Sequence, residues 1–116
     1  MIPKAGKSRY QVLKWEAMAD DMVTTAINVY MEKTRHPQDF HAQFIQNGEA
    51  AILKGYQYIE AHLNELKEFN LAPVAVASAI GYIHFRLPHL AVKGKLADWF
   101  NDILKRPSLA QTLPVL

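Results

Sequence analysis

Between Asn70 and Arg86 the chain reads NLAPVAVASAIGYIHFR, and from Pro73 to Phe85 almost no polar side is left. Val74, Val76, Ala77, Ile80, Ile83 and Phe85 leave a helix there almost no polar face. Such a helix needs neighbours on every side, so it is expected at the centre of the fold. It is shorter than the ~20 apolar residues that cross a bilayer as a helix. Asn70 can cap its start, since a side-chain oxygen there accepts from an unpaired N–H of the first turn. The buried helix is expected over 70–87, with Pro88 and Gly94 closing it and a second, amphipathic helix over 95–105. Arg106 and Pro107 stop that helix. Ser108 and Gln111 then form a capping box for a last short turn over 108–113.

The chain has 116 residues, half of them hydrophobic, and no glycine- or serine-rich linker divides it. One domain of that length buries roughly two-thirds of its unfolded surface, so 1–116 reads as a single domain with a linker-like start over 1–7. The net charge is +2 and the basic residues are scattered. Nucleic-acid binding leaves a clustered basic footprint, so no such partner is expected. Cysteine is absent, which removes disulfides and thiolate metal sites. His36, His41, His62, His84 and His89 include two pairs five apart, whereas a helix presents ligands together at three or four. No metal is expected. No N-terminal run has signal-peptide form, and a cytoplasmic chain without a membrane partner is the expectation.

Ser8 and Gln11 read as a capping box that starts a long helix over 8–35. Val12, Trp15, Ala19, Met22, Ala26 and Val29 fall on one stripe of it, and Leu13, Asp20, Thr24, Ile27 and Met31 on a second. Two stripes exceed the apolar arc of an ordinary surface helix. Either the helix sits inside a bundle, or the second stripe faces a ligand or a partner. Pro37 ends the helix, because the residue before a proline avoids helical geometry. A second long helix is expected over 38–69, with Ile45, Ile52, Tyr56, Ile59, Leu63 and Leu66 at threes and fours. Gly48 and Gly55 lie on that face, and each costs roughly 1 kcal/mol against alanine in a helix interior. Close helix–helix approach is the expected compensation, and room for a ligand the alternative. Trp99 is expected to pack over the buried helix, its loss costing about 3–5 kcal/mol.

The runs ASAIGYIHFR, LADWF and KRPSLAQTLP, together with the earlier WEAMAD, resemble the C-terminal helical domain of cytosolic glutathione transferases. In that family a buried helix is followed by a tryptophan-bearing helix and an R-P-S-x-x-x-T-x-P terminator, here Arg106, Pro107 and onward. Ile2-Pro3 with Gly6 and Arg9 looks like the linker from the family's N-terminal domain. The resemblance spans the chain and implies an all-α bundle of about five helices. It also implies substrate-wall positions at Tyr30 and Thr34, with Ile27 on the same helix. The family's acid that reaches a neighbouring subunit's glutathione matches Thr24, and the partner of the family's capping box matches Pro73. Asn70, Trp99, Arg106 and Pro107 match its structural positions.

In this family the thiol-activating residue and most glutathione contacts belong to a thioredoxin-like domain, and no stretch of the chain resembles it. No catalytic residue and no cofactor are therefore expected, and glutathione only alongside a complementary thioredoxin-like domain. The chain reads as a non-catalytic binding or assembly module. The alternative is the substrate-binding half of a transferase whose catalytic domain is missing or on another polypeptide. The expected partners are a second copy or a thioredoxin-like domain.

Overall fold

A computed structural model describes residues 6–35, 42–67 and 71–105. Its order is α1 (Gly6–Arg35), α2 (Ala42–Ala61), a 3-10 turn at Leu63–Leu66, α3 (Leu71–Arg86), a second such turn at Pro88–Leu90, and α4 (Gly94–Leu104). The described residues are thus all-helical, without strands. The expected final turn at 108–113 and the caps and stops at Asn70, Arg106 and Pro107 lie outside them.

The first stripe of α1 is the one that folds the protein. Val12, Trp15, Ala19, Met22, Ala26 and Val29 are all buried. Opposite them stand Ile45, Ile52, Tyr56 and Ile59 of α2 and Val76, Ala77, Ile80 and Ile83 of α3. Gly48 of α2 lies against Val29 and Thr25, and Gly55 against Met22. Further along, Lys14 meets Tyr58 and Glu65. Numbers rise along one helix as they fall along the other, so α1 and α2 are antiparallel. The glycines occur where the two backbones approach, as their position on the apolar face suggests.

Three expectations change. The helix expected from Ser8 begins at Gly6, whose φ of +84° suits glycine. Ser8 falls inside that helix rather than before it, and the Gln11 Nε2 donates to Glu65 Oε1 at 2.9 Å. The helix expected over 38–69 gives way after Ala61, and the chain tightens into the 3-10 turn. That turn brings Glu65 back onto α1, where its Oε1 also accepts from Lys14 Nζ and Trp15 Nε1 at 3.1 Å each. Three donors on one oxygen are a tertiary gain that a continued α-helix would forgo. Burial alone would raise the Glu65 pKa, but the bonds from Lys14, Gln11 and Trp15 outweigh it and hold the carboxyl below its usual value.

The third change concerns α3. Ala72, Pro73, Val76, Ala77, Ala79, Ile80, Gly81 and Ile83 are buried. Leu71, Val74, Ala75, Ser78 and Tyr82 are only half-buried, and Phe85 is 42% exposed. The enclosure expected on every side is therefore not found: one side of α3 opens beside α1. Small side chains make this tolerable, because Ala75 and Ser78 expose little apolar area.

The C-terminal part is fastened by polar groups from elsewhere in the chain. Glu60 Oε1 of α2 accepts from the Leu96 N–H at 3.1 Å and so caps α4. Tyr56 donates its hydroxyl hydrogen to the Leu90 carbonyl at 2.7 Å. Glu49 Oε2 takes Lys33 Nζ at 2.9 Å and His89 Nε2 at 2.7 Å, joining α1, α2 and the second 3-10 turn. The Val92 N–H donates to His84 Nε2 at 3.1 Å, and the His84 ring meets Phe100 edge-on. Burial lowers the His84 pKa from 6.5.

That last pair sets a pH dependence. His84 is kept neutral in the folded chain, and its protonation removes the lone pair that Val92 uses. The contribution is complete above pH 6.5 and is lost as pH falls through the lowered folded value. Stability measured by urea unfolding should decline below pH 6.5 in the natural chain. The His84→Asn variant should lose that part of the slope; an unchanged slope would contradict the assignment.

Candidate functional site

The open sides of α1 and α3 meet in one groove of about 360 Å³, with Glu16, Ala19, Asp20 and Val23 on one wall and Leu71, Ala75, Ser78, Ala79 and Tyr82 on the other. Early residues of α1 face early residues of α3, and Arg86 at the end of α3 lies over Tyr30 near the end of α1. The two helices therefore run parallel. Each wall repeats at threes and fours, the spacing of neighbours on a helix surface. From Leu71 to Tyr82 the groove is about 16 Å long at 1.5 Å per residue.

Its ends differ in charge. Glu16 stands at the end nearer the start of both helices, with Asp20 one turn further along the α1 wall. Tyr82 closes the other end beside Arg86. The Arg86 Cζ lies 4.8 Å from the centres of both the Tyr30 and Phe85 rings and 5.9 Å from that of Tyr82, within cation–π range. Its Nε is buried without a hydrogen-bond partner. Among the described residues no ion pair involves it. The neighbouring Tyr82 oxygen, more than Tyr30, raises its pKa above the ordinary guanidinium value.

The residues singled out from sequence divide clearly. Tyr30 is half-buried against Arg86, and Ile27 is half-buried one turn earlier on α1. Thr34 is exposed, and its Oγ1 donates back to the Tyr30 or Met31 carbonyl of its own helix at 3.0 and 3.3 Å. Thr24 is exposed on α1 and does not line the groove. Of the second α1 stripe, Leu13, Asp20 and Thr24 are exposed and Ile27 and Met31 half-buried, so it is not packed into the bundle. Sequence reasoning misses Tyr82 and Arg86. The signal is the repeat Leu71, Ala75, Ser78, Tyr82, masked by a segment apolar enough to look buried throughout.

Trp99 is half-buried and packs at the margin of the core, while Trp15 is the fully buried tryptophan. A smaller depression of about 210 Å³ lies across the other seam, between α1 and α2, at Met18, Asp21, Met22, Thr25, Ala51, Ile52 and Gly55. No cluster of three or more potential metal ligands occurs among the described residues. No described helix is long and apolar enough to cross a membrane.

This architecture is found in known structures. A glutathione transferase family member from Pseudomonas fluorescens Pf-5, with bound S-(propanoic acid)-glutathione, matches 99% of the chain at 31% identity and a TM-score of 0.89. A second structure from the same organism, with bound glutathione, matches 99% of it at 30% identity and the same TM-score. No family model and no curated protein matches the sequence. The chain spans 62% and 59% of the two solved structures, less than two thirds of either. The described residues thus form an all-helical domain with the fold of part of these family members. Across 99% of its length the chain is similar to these glutathione transferase family members, as a C-terminal helical domain of that fold is.

Proposed function

We propose that this chain is a non-catalytic docking module whose α1–α3 groove receives a thioredoxin-like partner domain, in a cytoplasmic setting. The observation that carries the reading is the groove: an apolar channel of about 360 Å³ between two parallel helices, acidic at one end and cationic at the other. Apolar surface of this kind, rimmed by polar groups, marks interaction sites. Opposed charges at its ends fix the orientation of what docks there. Glutathione, held by the solved neighbours, would come to this chain only with such a partner.

The test mixes the chain with a separately produced thioredoxin-like domain from a Pseudomonas fluorescens transferase and follows mass by light scattering. A one-to-one complex is expected in the natural chain. Ala75→Glu, which puts a charge in the middle of the channel, should weaken it at least tenfold. Absence of a complex at tens of micromolar would defeat the reading. A homodimer that Ala75→Glu dissociates would replace the partner domain by a second copy.

The cluster beyond Tyr82 favours a second reading, in which Ile27, Tyr30 and Thr34 belong to a substrate wall. The half-buried Tyr30 ring beside a guanidinium that has no ion-pair partner among the described residues supports it. Conjugating activity in the mixture, absent from either component alone, is the corresponding result.

A further inference from the structure

We infer that Tyr30, Tyr82, Phe85 and Arg86 form a binding site for a small aromatic carboxylate. The inference rests on reading this end of the seam as a ligand wall, and it stands apart from partner docking. Three features of the cluster point to that ligand class.

The first is charge. Arg86 is always protonated, and among the described residues no carboxylate balances it. Glu16 and Asp20, the acids of the groove, lie on α1 ten or more positions before Tyr30. On α1 the nearby Lys33 is committed to Glu49. One uncompensated positive charge matches one negative charge, as in a carboxylate, better than the larger charge of a phosphate monoester.

The second is shape. The Tyr30 and Phe85 ring centres both lie 4.8 Å from the guanidinium carbon. The Nε is shielded from solvent and has no acceptor. The terminal nitrogens bond the Tyr82 and Tyr30 oxygens, and their remaining N–H bonds are the edge that meets the two oxygens of a carboxylate. Tyrosine hydroxyls on either side, from Tyr30 and Tyr82, can each donate a further hydrogen bond.

The third is the surrounding surface. Phe85 is 42% exposed, a large apolar ring at the end of a helix with the Arg86 guanidinium against it. Tyr82 belongs both to the cluster and to the mouth of the apolar groove. A flat ring attached to the carboxylate has aromatic surface on the protein to lie against, and offset or edge-on aromatic pairs add to simple burial.

The experiment titrates the isolated chain with 1-naphthoate and, separately, with its neutral isostere 1-naphthamide, followed by two-dimensional NMR. The expected result is at least about tenfold tighter binding of the naphthoate, which is ~1.4 kcal/mol of charge-assisted bonding. Shifts should centre on Tyr30, Tyr82, Phe85 and Arg86. Arg86→Gln should weaken naphthoate binding at least tenfold and so erase the preference. Should that variant fail to fold, Tyr82→Phe and added salt serve instead, each reducing the preference without abolishing naphthamide binding. Equal binding of the two ligands would overturn the carboxylate assignment while sparing the ligand wall. Binding of neither at millimolar concentration would overturn both, whatever the outcome of the partner-domain mixing.

Discussion

Trp15→Ala should cost about 3–5 kcal/mol of stability, the range for deleting a large buried aromatic. Trp15 is fully buried between α1 and its neighbours. Its Nε1 also supplies one of the three hydrogen bonds on Glu65, so alanine removes core volume and loosens the turn that returns the chain to α1. Trp15→Phe separates the two effects. It keeps most of the apolar volume and loses the bond, and should cost about 1–2 kcal/mol. The sequence pattern alone assigns the large penalty to Trp99. Half-buried at the edge of the core, Trp99 should instead lose about 1–2 kcal/mol on truncation, because part of its surface is already in water. Urea midpoints of the three variants decide the matter. A Trp99→Ala loss equal to that of Trp15→Ala would contradict the central place of Trp15 in the core.

The two glycines of α2 should respond oppositely to the same change. At Gly48 an added Cβ would collide with Val29 Cγ2. Val29 is fully buried and β-branched, so it has little freedom to turn away. Gly48→Ala is expected to cost about 2 kcal/mol through overpacking. At Gly55 the Cβ would meet Met22 Sδ at 2.8 Å and its Cε at 2.9 Å. A methionine end is flexible and can swing aside. The helix propensity gained from alanine, roughly 1 kcal/mol, then offsets the displacement, and Gly55→Ala should lie within about 1 kcal/mol of the natural chain. Thermal or urea unfolding distinguishes the two. Equal losses at both positions would mean that α1 and α2 are uniformly rigid along the seam.

Much of this arrangement is legible in the order of the amino acids. The stripe from Val12 to Val29 is the buried one, because a period near 3.6 fixes which side of a helix can leave water. What the pattern does not tell is where that face ends. In α3 nearly every side chain is apolar, so periodicity carries no contrast, and the open stripe through Ala75 and Tyr82 looks like the rest. Likewise, the repeat through Leu63 and Leu66 fits an α-helix. The chain tightens there because of Gln11, Lys14 and Trp15, about fifty positions away, which a local reading cannot weigh. Tyr30 is reachable by resemblance alone. Arg86 draws no notice in the sequence because a basic residue at a helix C-terminus already has an ordinary electrostatic role.

The carboxylate of Glu60 gives the order in which the domain can assemble. Lys93, at the cap position of α4, makes no side-chain cap of its own, and the acceptor for Leu96 arrives from a residue 36 positions upstream. Helix α4 therefore depends on a distant group for the side-chain cap at its start. It is a follower, completed after α2 is in place, and its amides should be the first to exchange with solvent when the fold breathes.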